Sequence, residues 1–295
     1  MKFISKFQIK LPKRKNNSHK GENGLVLVVG GCEDYVGAVT LAGLAALRSG
    51  SDLVKVIAPE KVAWAVNAYS PDLITKKFSS KIFLPKHFKI LSEEMEKFDV
   101  LLIGNGIGLN DETKKFCRTT IKSIKKLKVV DADAIKSISM SDAENSILTP
   151  HSKELEIFLK NSKIEKDIIK KISFDENFFA KGKLIQKTTQ NFLNKNNIIL
   201  LKGIVDIIIS KNKIFYNKTG NAGMTKGGTG DVLAGLCAGF LAQSKDLLQS
   251  AINAAYFNGL IGDILLKKKK GFTYLASDMA NEIKNVRKKL KTIVH

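Results

Sequence analysis

The segment Leu25–Gly50, LVLVVGGCEDYVGAVTLAGLAALRSG, joins a short apolar run to a helical pattern and decides the fold class. Leu25–Val29 contains only branched apolar residues, which is typical of a short strand buried on both faces. Apolar residues recur at helical spacing over Val36–Ser49, and Gly50 follows as the residue that commonly ends a helix. A second apolar run, Leu53–Ile57, comes next. The succession of strand, helix and strand predicts parallel strands joined by a covering helix.

The same alternation extends along the rest of the chain. It predicts further strands at Val100–Ile103, Lys128–Val130, Ile198–Leu201, Val205–Ile209 and Lys213–Tyr216. It predicts further helices at Asp111–Lys126, Glu154–Lys160, Asp231–Gln243, Leu247–Leu266 and Ser277–Lys289, with a break at Lys267–Gly271. The least patterned stretch, Asn161–Gln190, is expected to form a mobile helical excursion. We predict one α/β domain, residues 1–295, with a mainly parallel central sheet covered by helices on both faces.

The composition suits a folded enzyme and argues against specific nucleic-acid recognition. Of the 295 residues, 44% are hydrophobic and 26% charged, and 49 basic against 28 acidic residues give a formal charge of +21. Only four of the basic residues are arginines, although bidentate reading of guanine is mainly arginine chemistry. The lysines are spread along the chain, with clusters at 122–128 and 267–270, so we predict a generally basic, solvated surface.

The three cysteines indicate a reducing environment. Cys32, Cys117 and Cys237 lie far apart and form no CxxC pair, which argues against a zinc site or a disulfide framework. No apolar stretch reaches the roughly 18 residues that span a bilayer, and residues 1–15 lack the apolar core of a signal peptide. We therefore expect a cytoplasmic protein without a membrane partner.

A glycine-rich segment, Thr219–Gly235 (TGNAGMTKGGTGDVLAG), is the strongest local signal for chemistry. Its five glycines before an apolar helix can turn backbone N–H groups toward a phosphate, and the helix dipole adds positive potential. Asp231 lies where the helix is predicted to start. It is a candidate helix N-cap and a candidate base for a substrate hydroxyl, two compatible roles, with a pKa that the dipole is expected to lower. No GK[ST] closes a P-loop spacing, so a Walker-type NTPase is disfavoured.

Other predicted strand ends also carry functional residue types. The turn Gly104–Gly108 lacks the last glycine of a dinucleotide-binding fingerprint and is either a tight turn or a close approach to a ligand. Asp131 and Asp133 follow the next strand, and Asp133 is alternatively a helix cap. Lys202 and its neighbouring glycine follow a later strand, where the lysine could meet a phosphate. Because α/β sheets bind ligands beyond the carboxyl ends of their strands, we expect these residues to share one site.

A further strand-to-helix turn places His151 after Pro150, a residue suited to the first turn of a helix. A histidine in such a turn is a better ligand candidate than one on an apolar face. Glu154 either contacts a metal ion or only supports the helix.

Taken together, these residues resemble the ADP/ATP-dependent NAD(P)H-hydrate dehydratase family, which has a ribokinase-like three-layer αβα sandwich. The motifs follow the family's order across most of the chain. They are Arg14, SHKG at 18–21, GG at 30–31, YVGA at 35–38, RSG at 48–50, IGNGIG at 103–108, DADA at 131–134, LTPH at 148–151 with Glu154, LKG at 201–203 and GGTGDVLAG at 227–235.

The resemblance implies a repair reaction, in which the hydroxyl added to a hydrated NADH or NADPH is phosphorylated by ADP or ATP and then eliminated as phosphate. By this analogy Asp231 is the base and Gly230 helps to hold the phosphate. The implied substrate-binding residues are Ala38, Gly106, Gly108, Asp131, His151 and Asp231. The implied nucleotide-binding residues are Lys202, Gly203, Ile204, Val205, Asp206, Thr229 and Gly230. Mg²⁺ is expected from the phosphate chemistry, with Glu154 as its candidate ligand.

The chain departs from the family pattern at three places. Ser152 and Lys153 replace a usual Pro-Gly, Asn105 replaces the proline of a GPG turn, and Asp206 replaces a frequent threonine. These changes concern the shape of the hydrate pocket and the choice between ADP and ATP. Many relatives carry an N-terminal epimerase domain, for which this chain leaves no room, so we expect a separate epimerase in the same pathway. We also expect a homo-oligomer.

Two alternatives remain at this point. A small-molecule kinase of the same fold, acting on a vitamin-precursor alcohol, would use the same glycine-rich loop and aspartate. The motifs at 35–38 and 149–154 favour the dehydratase. A non-catalytic nucleotide-binding or nucleic-acid-binding module is supported only by the +21 charge.

Overall fold

A ten-stranded sheet runs through the computed structural model, which describes residues 2–293. The strands are β1 (Lys2–Phe3), β2 (Leu25–Val29), β3 (Leu53–Pro59), β4 (Ile74–Phe78), β5 (Val100–Ile103), β6 (Leu127–Val130), β7 (Ser146–Leu148), β8 (Ile198–Leu201), β9 (Asp206–Ile209) and β10 (Ile214–Asn217).

Helices connect most of these strands. They are α1 (Val36–Arg48), α2 (Glu60–Tyr69), α3 (Phe88–Met95), α4 (Asp111–Ser123), α5 (Ala132–Lys136), α6 (Ser152–Asn161), α7 (Lys166–Phe174), α8 (Phe178–Thr188), α9 (Gln190–Leu193), α10 (Thr229–Ser244), α11 (Leu247–Lys268) and α12 (Ala276–Ile293). No helix within residues 2–293 combines the length and the apolarity that crossing a bilayer requires.

The strand order creates a crevice at the middle of the sheet. The order is β4, β3, β2, β5, β6, β7, β8, β9, β10 and β1. The strands from β4 to β8 pair in parallel, and β9 is antiparallel to both of its neighbours. The chain runs outward from β2 to β4 and then returns to the other side of β2 to form β5. Such a reversal opens a crevice beyond the carboxyl ends of the two central strands, where sheets of this kind bind ligands.

The sheet buries both faces, and this explains its uninterrupted apolar strands. Along β2, Val26 and Val28 face one core while Leu27 and Val29 face the other. The first core is covered by α1, α2, α10, α11 and α12, and the second by α3 to α9. The predicted three-layer sandwich with a mainly parallel sheet is thus confirmed. That residues 1–295 form a single domain stays a prediction.

All of the predicted strands and helices exist, with ends that shift by at most four residues. The edge strand β4 was not predicted, because its sequence ITKKF exposes lysines and lacks a continuous apolar run. The segment 161–190 contains all of α7 and α8, and Ile169, Ile172 and Ile185 pack into the second core. Its helical character is confirmed, whereas its mobility stays a prediction.

Candidate active site

The carboxyl ends of the central strands bring the predicted site residues together. Asp131 directly follows β6 and Lys202 directly follows β8, while Asn105 lies in the turn after β5. Backbone hydrogen bonds join these ends: the amide of Gly31 donates to Asn105 at 2.9 Å, and that of Lys202 to Pro150 at 2.8 Å. The site therefore rests on rigid strand ends, which hold side chains more accurately than free loops do.

The turn after β5 is tight and lets other segments approach closely. Gly104 has φ +123°, and a Cβ there would collide with the carbonyl oxygen of Asp131. A Cβ on Gly106 would lie 3.0 Å from that of Ala38, which places this predicted pair in contact. The amide of Gly108 donates to Asp133 at 3.1 Å. The segment Gly104–Gly108 is thus the predicted tight turn. It also packs against the first turn of α1.

Asp131 is the centre of a buried polar network. Its Oδ1 accepts hydrogen bonds from Thr149 at 2.7 Å and from Lys202 at 3.0 Å. Its Oδ2 accepts one from the side-chain amide of Asn105 at 2.9 Å, and the residue is only 2% exposed. Asp131 thereby holds the side chains of Asn105, Thr149 and Lys202 in place.

Asp231 lies in the first turn of α10, at the edge of this network. Gly228, with φ +91°, takes the N-cap position, so the alternative of Asp231 as the cap is wrong. The side-chain amide of Asn105 donates to Asp231 Oδ1 at 2.7 Å and thereby links the two aspartates. The other carboxylate oxygen of Asp231, Oδ2, accepts no hydrogen bond from the residues that the structure describes.

The surroundings of Asp231 make it a better proton acceptor than an exposed aspartate. Burial raises its pKa to about 6, the negative charge of Asp131 adds to this rise, and Asn105 and Lys202 oppose it. The predicted lowering by the helix dipole is therefore wrong in direction, because loss of solvent outweighs it. A pKa of about 6 still leaves most of the carboxylate ionised near neutral pH.

Lys202 places a positive charge under the start of α10. It lies 3.0 Å from Asp131 and 3.7 Å from Glu154, and its Nζ is 3.5 Å from where a Cβ on Gly230 would stand. Burial alone would lower the pKa of Lys202, but the carboxylates of Asp131 and Glu154 raise it overall. The lysine is therefore a cation beside a helix N-terminus, and that the two together form an anion-binding position stays a prediction.

His151 and Glu154 form the cap of α6. The Nδ1 of His151 accepts from the amides of Lys153 and Glu154 at 3.1 and 3.3 Å, and Glu154 accepts from the amide of His151 at 2.9 Å. Burial lowers the pKa of His151. The negative charge of Glu154 acts to raise this pKa, whereas the positive charges of Lys202 and Lys136 lower it further. The imidazole side chain is 49% exposed, so it remains open to a ligand.

Glu154 thus supports its helix, as one of the two alternatives predicted. Within residues 2–293, no group of three or more His, Cys, Asp or Glu side chains is arranged to hold a metal ion. Magnesium usually takes most of its ligands from phosphates and water. The assignment of Glu154 as its protein ligand stays a prediction.

A cavity of about 650 Å³ extends from the predicted anion-binding position toward α11. Its size is within the range of small-molecule sites. Six of the seven predicted nucleotide-binding residues line it, namely Lys202, Gly203, Ile204, Asp206, Thr229 and Gly230. The seventh, Val205, packs against the second core instead.

Asp206 is a second buried carboxylate in the wall of this cavity. It accepts hydrogen bonds from the amide of Gly203 at 3.1 Å and from the side chain of Asn217 at 3.0 Å. Burial raises its pKa to about 6. The residue holds the loop between β8 and β9 closed against β10.

Several site residues were missed by sequence reasoning. Asn105 was recognised only as a departure from a family motif, although its place between two glycines at a strand end is a usable signal. Thr149 was quoted only as part of the LTPH motif. In the far wall of the cavity, Asn258 was missed because it lies in an ordinary apolar helix. The other residues of this wall belong to the glycine-rich segment Thr219–Gly235, which was predicted to bind a phosphate, but they were not named individually. They are Thr219, Gly220, Asn221, Ala222, Met224, Thr225 and Leu233.

The fold and the site define a class of phosphate-binding α/β enzymes with a ribokinase-like fold. The chain is similar to a ribokinase-like superfamily protein from Enterococcus faecalis V583, with a TM-score of 0.82 and 26% sequence identity over 98% of this chain and 96% of that one. Residues 26–285 match the family model described as NAD(P)H-hydrate dehydratase, and the chain belongs to this family. The predicted family is thereby confirmed.

Two archaeal relatives illustrate the match. The chain is 41% identical over 281 residues to the bifunctional NAD(P)H-hydrate repair enzyme Nnr of Methanocaldococcus jannaschii, covering 94% of this chain and 51% of the relative. It is 34% identical to the ADP-dependent (S)-NAD(P)H-hydrate dehydratase of Nitrosopumilus maritimus, covering 99% of this chain and 97% of the relative. The chain spans about half the length of the bifunctional relatives that it matches.

Proposed function

We propose that this protein converts hydrated NADH or NADPH back to the intact dinucleotide at the expense of ADP. One observation carries the proposal: Asp231, a partly buried carboxylate with a raised pKa, lies in the first turn of the helix that borders a nucleotide-sized cavity. The relative of matching length is named ADP-dependent, and this favours ADP over ATP as the donor.

Asp231 is the proposed base for the substrate hydroxyl. Asn105 holds its Oδ1, so Oδ2 is left to face a ligand. With a pKa of about 6 the carboxylate is ionised near neutral pH and accepts the hydroxyl proton as the oxygen attacks phosphorus. The position of a base beside a phosphate-binding helix suits this transfer.

Lys202 and the first amides of α10 hold the phosphoryl group in transit. The hydroxyl oxygen bonds to the terminal phosphorus of ADP, the bond to AMP breaks, and Asp231 carries the proton. The carbon–oxygen bond then breaks, phosphate leaves with the bonding electrons, and the neighbouring carbon loses a proton to form the double bond. Phosphate is a better leaving group than hydroxide, which explains the use of a nucleotide.

Magnesium bound with ADP would neutralise charge on the phosphates, with Glu154 as its proposed protein contact. The hydrated nicotinamide would enter over Ala38, Gly106 and Gly108, where the turn after β5 meets α1. The exposed imidazole of His151 lies on the adjoining rim, above the cap of α6. Asp131 acts there as a positioning residue rather than a base.

The wider setting is also proposed. An NAD(P)H-hydrate epimerase acting in the same pathway is the expected partner, and a homo-oligomer is the expected assembly. A reducing compartment such as the cytoplasm is the proposed location, since Cys32, Cys117 and Cys237 are all unpaired and two of them are buried.

The test is recovery of the NADH absorbance band after mixing the protein with hydrated NADH, magnesium and either ADP or ATP. We expect recovery only with a nucleotide, faster with ADP, and its loss in Asp231→Asn. The matched control is Asp72→Asn, at an exposed aspartate far from the site, which should behave as wild type. No recovery with either nucleotide would contradict the proposal and favour a kinase acting on another alcohol.

A further inference from the structure

Nearly every polar side chain in the cavity wall already has a partner within the protein. Lys202 pairs with Asp131, and Asp206 with Gly203 and Asn217. The others are also satisfied: Thr219 by Asn217, Asn221 by Asp263, Thr225 by Ala222 and Thr229 by Met224. These side chains therefore shape the cavity, and their polar atoms are engaged before any ligand arrives.

Asn258 is different. It belongs to α11, lines the cavity and is only 5% exposed, yet its Oδ1 is buried without a hydrogen-bond partner among the residues that the structure describes. A buried amide oxygen without a partner is costly, and native structures contain few of them. A ligand that donates a hydrogen bond to Asn258 would remove this cost.

The cavity that Asn258 lines also offers apolar surface for a flat aromatic ring. Ile204, Met224 and Leu233 supply apolar parts of the same wall, and Ile204 is fully exposed to solvent. A ring placed against Ile204 would cover apolar surface that is otherwise open to water. The charged phosphate position is formed by Lys202 and α10, so the cavity offers separate places for a base and for phosphates.

We propose that Asn258 hydrogen-bonds the edge of the nucleobase and makes the cavity selective for adenine. The proposal rests on the proposed function, which places ADP in this cavity. Adenine presents its 6-amino donor beside a ring-nitrogen acceptor, and an asparagine amide matches both with its oxygen and its nitrogen. Because no group in the described part of the chain holds Oδ1, rotation about χ2 can turn the amide toward the base.

The experiment measures dissociation constants for ADP and for purine riboside 5′-diphosphate, which differs from ADP only by lacking the 6-amino group. Calorimetry is performed on the wild type, on Asn258→Leu, and on Asn191→Leu as a control for the same exchange at an exposed site on α9. We expect the wild type to bind ADP about ten- to a hundredfold more tightly than the analogue. In Asn258→Leu this ratio should fall to about one, while Asn191→Leu should keep it.

A ratio that persists in Asn258→Leu would overturn the inference while leaving the proposed function standing, because ADP would still bind. A wild type that binds both compounds equally would overturn it in the same way. A wild type that binds neither would overturn the proposed function as well. If Asn258→Leu does not fold, Asn258→Ala removes the amide without adding volume and is judged by the same ratio.

Discussion

The two ends of the nucleotide cavity are built differently. At the phosphate end, Asn105, Asp131, Lys202 and Asp231 are joined by hydrogen bonds of 2.7 to 3.0 Å. At the base end, Asn258 Oδ1 has no hydrogen-bond partner among the residues that the structure describes, and Ile204 is fully exposed. Asn105 Oδ1, at the phosphate end, is likewise buried without a partner in the described part of the chain. A charged group that is removed from water strongly destabilises the ligand-free protein unless it has a partner there. A neutral amide without a partner costs less free energy.

This difference predicts different consequences of mutation. The phosphate end is preorganised, so changes there should affect the chemical step, the stability and the pH dependence together. The base end contributes mainly binding, so changes there should alter nucleotide affinity and leave the maximal rate intact.

The largest effect is expected for Lys202→Met. Activity should fall roughly a thousandfold, since a phosphate-binding cation is lost. The free energy of unfolding should fall by about 3 kcal/mol, because Asp131 and Glu154 are left as buried, unpaired carboxylates. Urea unfolding and steady-state kinetics measure the two effects, with Lys211→Met at an exposed lysine as the control. Full stability in Lys202→Met would contradict the preorganised network.

Asp231→Asn should be inactive yet more stable at alkaline pH. The folded-state pKa of Asp231, about 6, lies above its ordinary value of 3.8, so ionisation destabilises the native state as pH rises through this interval. Because asparagine does not ionise, the variant avoids this destabilisation, and its free energy of unfolding should be higher by up to about 3 kcal/mol at pH 8. Below about pH 4 the difference should vanish. Urea unfolding at both pH values checks the sign, and equal stability at pH 8 would argue against a burial-raised pKa.

Asn105→Ala tests the link between the two aspartates. Since the amide of Asn105 lowers the pKa of Asp231, its removal should move the acid limb of the pH–rate profile to higher pH. The maximal rate should fall by about ten- to a hundredfold as the base loses its orientation. Asn191→Ala serves as the control, and an acid limb that stays in place would show that Asn105 does not act on Asp231.

The smallest effect is expected for Ile204→Ser at the base end. Because the side chain is fully exposed, stability should change by less than about 0.5 kcal/mol. The KM for ADP should rise roughly three- to tenfold through lost apolar contact, with kcat unchanged. A change in kcat with unaltered KM would contradict the division between the two ends.

Much of the fold could be predicted from the sequence because its signals are local. The run Leu25–Val29, the helical period of α1 and the stop at Gly50 each depend on neighbouring residues, and all three are confirmed. The edge strand β4 could not be predicted, because exposed lysines erase the apolar pattern at a sheet edge. The convergence of Asp131 and Lys202 followed from a general rule about strand ends.

The sequence by itself determined the alternation of strands and helices, the tight glycine turns and the family to which the chain belongs. Only the tertiary structure decided that Asn105 joins Asp131 to Asp231, residues 26 and 126 positions away, and that Asn258 closes the far wall of the cavity. It also decided the direction in which the pKa of Asp231 moves. Strand and turn formation depend on nearby residues, whereas burial and charge sum over groups that are distant along the chain, so these properties exist only once the sheet has assembled.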